Sequence, residues 1–378
     1  MVQNTSLTEE PTVIFAGHPF ASIGKGEEMR SAFAAYRSLD LRCEIFDVYR
    51  YAKRVDRDHI ALCQGVEAAG LDAPVRVFHI NGDEVVSVLS TLEQRGIDFS
   101  NGYNVVVPAW ELPTYPQEWV EPLQCFDEVW AISRFVQDSL AASGVASQHI
   151  GQAVQLPARP FLPRRHFGLR SSSFVFLTLL DLSSYSARKN PEAVLAMFRE
   201  LQRRHPFTDM QLAVKVKSGS HDAKAWISDT LGEARQGVVF IDRLLDTYET
   251  HSLIAACDCF LSLHRSEGFG RGAAEAMWLG RTAIATGWSG NLDYMDDTHP
   301  GMIGYEMRDV EEGQYPHHSS QQWAEPDVDH AVYFAGKLLQ DPDLFRTCAR
   351  IGQNAVRKEC SHRAVGLRML ERVEAVAA

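Results

Sequence analysis

Short runs of apolar and β-branched residues alternate along this chain with longer stretches whose apolar positions recur every three or four residues. These are the periods of buried strands and of amphipathic helices. Residues 12–16 read as a first strand, and a turn carrying Gly24, Lys25 and Gly26 leads into a helix over 27–39. Further strands are expected at 42–47, 75–80, 103–108 and 128–131, the last followed by a helix over 135–143. The rhythm breaks at 156–170, where Pro157, Pro160 and Pro163 stand among four arginines without periodicity, as in an interdomain linker. Alternation then resumes. Strands are expected at 174–180, 211–216, 238–241, 259–263 and 282–286, with helices over 191–204 and 272–279. The end of the chain, 328–340 and 343–378, reads as successive helices.

Strands alternating with helices imply parallel sheets covered on both faces. The expected class is therefore α/β, with two Rossmann-like domains, 1–165 and 166–359. A length of 378 residues suits two such cores.

Charge and composition narrow the function classes. With 37 Lys and Arg against 49 Asp and Glu, the net charge is −12, a balance that repels nucleic acid. Positive charge is gathered mid-chain, in Arg164, Arg165, Arg170, Arg188, Lys189, Lys215 and Lys217, where an anionic small ligand could bind. No apolar run reaches the ~20 residues that span a bilayer. The start of the chain lacks the basic and apolar regions of a signal peptide, so a cytoplasmic location is expected, free or peripheral to the inner face of a membrane. The seven cysteines show no metal or redox spacing and read as reduced, mostly buried residues. No metal site is expected.

The densest chemical signal is the stretch from His264 to Gly280, where an apolar strand ends, a glycine-rich turn follows and a helix begins. Such a turn admits a ligand close to backbone amides, and the helix start favours a diphosphate. Glu267 falls at the strand end and Glu275 in the early helix, and carboxylates bind adjacent sugar hydroxyls. Spacing alone fits equally well a tight turn with two solvated carboxylates.

The residues of this stretch, Ser266-Glu267-Gly268-Phe269-Gly270 with Glu275-Ala276-Met277 and Gly280, resemble the retaining glycosyltransferases of family 4, which belong to glycosyltransferase group 1 and have the GT-B fold. The resemblance continues in Ser289-Gly290-Asn291-Leu292-Asp293, in Arg188-Lys189-Asn190-Pro191, in Trp323–Asp327 and, in the first half, in Ala109–Pro113 and Ser133-Arg134-Phe135. It implies two parallel sheets facing a central cleft, with a helix near 360–378 crossing back to the first domain. The implied activity is transfer of a hexose-type sugar from a UDP- or GDP-linked donor to a hydroxyl of a saccharide, lipid-linked or small-molecule acceptor. No cofactor or metal is implied, and a homodimer is compatible.

By the same resemblance Glu267 binds the transferred sugar and Glu275 the ribose. Arg188 and Lys189 meet the diphosphate. Backbone at Phe269, Gly270 and Arg271 faces the donor, joined by Asn291, Lys215 and the Gly24-Lys25-Gly26 turn. Trp110, Glu111 and Tyr115 are acceptor candidates, although Trp110 equally fits a core plug. His79 is expected in the core, and His251, His317 and His318 on the surface. The chain departs from the family at Asn81, where relatives carry histidine, at Ser183 where an arginine is usual, at Ser289 for glycine and at Asp293 for glutamate. These departures keep open a nucleotide-sugar-binding subunit without its own activity, and an epimerase or phosphorylase shares the architecture. A dehydrogenase lacks support, because no complete Gly-x-Gly-x-x-Gly with its acidic partner is present.

Overall fold

The computed structural model describes residues 13–181, 185–217 and 236–377. The first sheet contains β1 (Val13–Gly17), β2 (Cys43–Asp47), β3 (Val75–Phe78), β4 (Tyr103–Val106), β5 (Glu128–Ala131) and β6 (Gln148–His149), all parallel in the order β2-β1-β3-β4-β5-β6. Its principal helices are α1 (Gly24–Arg37), α2 (Arg57–Cys63), α3 (Val85–Gln94) and α4 (Arg134–Ala142). Val13, Ile14, Phe15 and Ala16 are all at most 1% exposed, so β1 is covered on both faces, which is why its apolar run is continuous. The expected first residue, Thr12, lies outside the described residues.

The second sheet contains β7 (Phe174–Asp181), β8 (Met210–Lys217), β9 (Val238–Ile241), β10 (Cys259–Ser262), β11 (Thr282–Thr286) and β12 (Met302–Ile303), parallel in the order β12-β11-β10-β7-β8-β9. Helices α5 (Pro191–Arg204), α6 (Thr247–Ala256) and α7 (Arg271–Trp278) accompany it. An antiparallel hairpin follows, β13 (Tyr305–Asp309) with β14 (Gln322–Pro326). The chain ends in α8 (Val328–Gln340), α9 (Pro342–Cys360) and α10 (His362–Ala377). Among the described residues, no helix is long and apolar enough to cross a membrane.

Strand order reverses beside β1 in the first sheet and beside β7 in the second, which puts a crevice outside the carboxyl ends of β1/β3 and of β7/β10. Several contacts join the halves there. Ser133 Oγ donates to the Gly268 carbonyl at 2.6 Å while accepting from Val136 N–H as the cap of α4. Asp293 accepts from Arg134 N–H at 3.1 Å and lies 2.7 Å from His149 Nε2. The carboxylate at 293 therefore satisfies the first backbone N–H of a helix of the other half. Helix α10 packs against α1, with Arg372 paired to Glu128 at 2.9 Å and Arg368 donating to the Ile150 carbonyl at 2.7 Å.

Candidate active site

Three of the four catalytic candidates, Glu267, Arg188 and Lys189, converge at the carboxyl ends of β7 and β10, while the fourth, Asn81, follows β3 of the first sheet. Arg188 and Lys189 lie on the one-turn helix Ser186–Lys189, and Glu267 follows β10. Arg188 Nη1 is 3.0 Å from Glu267 Oε2, and Lys189 Nζ donates to Oε1 of the same carboxylate. Glu267 and Arg188 are buried. Burial would push the Glu267 carboxyl up, but attraction by Lys189 and Arg188 outweighs it and holds it well below the usual carboxylate range. Burial opposes charge on Arg188 as well, yet Glu111 and Glu267 keep it firmly protonated. Both cations expected to meet a diphosphate thus hold the carboxylate expected to meet the sugar.

Neighbouring residues fix this arrangement. Arg265 donates to Glu325 at 2.6 Å and to the Ala187 carbonyl at 2.7 Å, and Asn190 donates to the other Glu325 oxygen at 3.1 Å. Glu325 therefore ties the Arg188–Lys189 turn to β14. Glu267 N–H donates to Ser289 Oγ at 2.8 Å. Gly290 lies so close to the strand-end turn that a Cβ would sit 2.1 Å from the Gly268 oxygen. Asn291, fully buried, lies 3.1 Å from His264 Nε2 and donates to the Thr286 carbonyl at 3.0 Å, holding the two loops together.

Gly270, at φ +82°, immediately precedes α7, and its carbonyl accepts from Tyr294 OH at 2.6 Å. Phe269 is buried with its ring 5.2 Å from that of Tyr294. Arg271 spans the cleft, pairing with Glu275 at 2.7 Å in its own helix and with Glu27 of α1 at 3.0 Å. Glu275 is buried beside it. Glu27 links both halves of the molecule to one guanidinium, a contact the sequence does not announce.

The 24–26 segment differs from expectation: it is the first turn of α1 rather than a loop before it. Gly24 is exposed, Gly26 is buried, and the Lys25 ammonium is buried against Glu28 at 2.8 Å and the Val107 carbonyl at 2.5 Å. Lys215 is also buried, its ammonium donating to the Val216 carbonyl at 2.7 Å. Asn81 N–H donates to Glu84 at 2.8 Å, and its side-chain oxygen accepts from Ala109 N–H at 3.3 Å. Ser183 lies outside the described residues.

The acceptor candidates divide. Glu111 reaches the centre, 3.6 Å from Arg188 and accepting from Tyr315 OH at 2.5 Å. Trp110 and Tyr115 are 3% and 1% exposed, enclosed with Trp119, Tyr315 and His317, so neither ring offers a face to a ligand. His317 is correspondingly packed 4.9 Å from the Trp119 ring, and His251 is buried, not superficial as expected. His79 is buried against Glu28 at 2.9 Å. Tyr315, on the 310–321 connection, was not singled out by sequence; its significance comes from a partner 204 positions away. Among the described residues no cluster of His, Cys, Asp and Glu has the arrangement of a metal site.

Residues 175–313 match the family described as glycosyl transferases group 1. Among solved structures, HepE of Anabaena in complex with UDP and glucose aligns with a TM-score of 0.70 at 12% identity, covering 97% of this chain and 100% of that one. Sucrose-phosphate synthase of Thermosynechococcus elongatus gives 0.69 at 15% identity over 98% and 100%. A glycosyltransferase of Rickettsia africae gives 0.64 at 13% over 98% and 99%. No curated protein matches the chain by sequence. At these identities the structural likeness is one of fold, and that fold is GT-B.

Proposed function

We propose that this chain, which carries a glycosyl transferases group 1 domain on a GT-B frame, is a retaining hexosyltransferase that uses a nucleoside-diphosphate sugar without a metal. The observation that carries the reading is the carboxylate of Glu267 held by Arg188 and Lys189 beside the start of α7. A diphosphate offers those cations a stronger, multivalent partner, and its arrival releases Glu267 to accept hydrogen bonds from the transferred sugar. Glu275 is suited to the ribose hydroxyls. HepE was crystallised with UDP and with UDP-glucose, which favours uridine over guanosine for the donor.

In this mechanism the acceptor hydroxyl approaches the anomeric carbon on the face from which the diphosphate departs. The bond from that carbon to the phosphate oxygen breaks as the bond to the acceptor oxygen forms, and the hydroxyl proton passes to the leaving phosphate. Arg188, Lys189 and the helix start stabilise the charge that grows on the leaving group. Asn81 cannot take a proton, and none is required of it. Glu111 serves by aligning Arg188 from the opposite half. The contacts of Arg271, Asp293 and Tyr315 join the two halves, an arrangement suited to excluding water and so limiting hydrolysis of the donor. The enzyme is expected to act in the cytoplasm.

Calorimetric titration with UDP and GDP, followed by mass spectrometry of UDP-glucose incubated with simple saccharides, tests the reading. Binding of UDP and release of UDP from UDP-glucose support it. UDP binding with no turnover under any acceptor would instead assign a binding subunit, and failure to bind either nucleotide would overturn both.

A further inference from the structure

Because Trp110 and Tyr115 are enclosed, an acceptor must meet other groups, and a second aromatic cluster stands at the same end of the first sheet. We propose that Tyr51 and Glu84, held in place by His18, form the subsite for a hexopyranoside acceptor, an inference that rests on the donor reading above. His18 directly follows β1, Tyr49 and Tyr51 follow β2, and Glu84 lies in the turn after β3. These three strands are neighbours, so the residues share the crevice beside the switch point.

The geometry is built rather than incidental. His18 is 4% exposed, its Nε2 is 2.9 Å from Glu84 Oε1 and its Nδ1 is 3.2 Å from Tyr51 OH. A carboxylate only accepts, so Nε2–H donates to Glu84 and Nδ1 accepts from the Tyr51 hydroxyl. Both ring nitrogens are used, which makes His18 a positioning residue and not a base. Its ring also stacks on Tyr49 at 4.8 Å, and Tyr49 touches Tyr51 at 5.5 Å. Tyr51 is thus fixed at its hydroxyl and along its edge while 64% exposed, a rigid aromatic face open to solvent. Aromatic faces take the apolar C–H surface of a pyranose, and a carboxylate beside them takes the hydroxyls.

The same residues connect to the donor cations. Glu84 Oε2 accepts from Asn81 N–H, and Asn81 Oδ1 accepts from Ala109 N–H, two residues before the Glu111 that approaches Arg188. Glu84 is thus linked through Asn81 to the segment that carries Glu111.

Saturation-transfer NMR with methyl α-D-glucopyranoside and UDP present together tests this. Ring-proton signals of the glucoside are expected with the full-length protein, weakened about tenfold by Tyr51→Ala and by Glu84→Gln, while the UDP signals stay. His18→Gln should weaken them less than either. Persistence of the glucoside signals in both Tyr51→Ala and Glu84→Gln, or their absence from the unaltered protein while UDP signals are present, overturns the subsite. Loss of UDP signals from the unaltered protein instead overturns the donor reading, and the subsite with it.

Discussion

Ser289 Oγ accepts the backbone N–H of Glu267 at 2.8 Å, although Ser289 itself holds a left-handed φ of +77°. A side chain in that backbone region costs on the order of 1–3 kcal/mol, so the hydrogen bond offsets a local strain that glycine would avoid. The bond orients the peptide directly attached to Glu267, the carboxylate proposed to meet the sugar.

Two substitutions separate strain from bond. Ser289→Gly removes both and should leave stability within about 1 kcal/mol of the parent, whereas Ser289→Ala keeps the strain and should lower it by about 1–2 kcal/mol. Both should slow transfer from UDP-glucose. Denaturant unfolding alongside turnover reads the difference; equal stability of the two variants would show that the left-handed backbone carries no strain, and a Ser289→Ala variant as stable as the parent would show that the hydroxyl contributes nothing.

Glu267 occupies the two cations proposed to meet the leaving group, so Glu267→Gln should have opposite effects on binding and on turnover. With its charge gone, Arg188 and Lys189 lose their shared carboxylate in a buried site, and the free protein should lose about 3 kcal/mol of stability. Free UDP should then bind about tenfold more tightly, since no carboxylate has to be displaced. Transfer should nevertheless collapse, because the sugar loses its acceptor group. Calorimetry with UDP is decisive: unchanged or weaker affinity would mean that Glu267 does not compete for these cations.

The alternation of strands was readable because β1, β7 and their neighbours are buried on both faces, which enforces unbroken apolar runs. The hairpin was not readable, because Tyr305, Glu306, Met307, Arg308 and Asp309 are all exposed, and the alternation of Tyr305 and Met307 with Glu306 and Arg308 is too short to mark a strand. Strands β6 and β12 have two residues each, too short for any periodicity.

Chemistry divides along the same line. Glu267 and Glu275 stood out as candidates through the resemblance of the stretch around them, since their spacing alone equally fitted a tight turn with two solvated carboxylates. The pairing of Glu267 with Arg188 spans 79 positions and that of Tyr315 with Glu111 spans 204, so both depend on how the sheets and halves meet. Trp110 shows the limit most clearly. Its indole N–H donates to the Thr114 carbonyl at 2.9 Å, a local matter, but its ring is covered by Tyr315 and His317 from the other half. Nothing within 109–115 encodes that this cover closes over the ring.

Glu27 gives the fold a dependence on acid. Burial raises its pKa, but attraction by Arg271 and Arg30 prevails and lowers it from 4.5 to about 2. A carboxyl whose pKa is depressed by folding contributes its full stabilisation above the unfolded value, and that contribution is lost as pH falls toward the folded one. The window is therefore from about 4.5 down to about 2. With the side chain 27% exposed, solvent screening reduces the contribution to about 2 kcal/mol. Glu27→Gln should lie below the parent in stability by that amount at neutral pH, and the two should converge as pH falls through this window. Arg271 retains Glu275 and the Ala153 carbonyl at 2.9 Å, so the variant should still fold. Urea unfolding of both proteins at a series of pH values checks this, and a gap that stays constant down to pH about 2 would show that the Glu27–Arg271 bridge between the halves carries no titratable stabilisation.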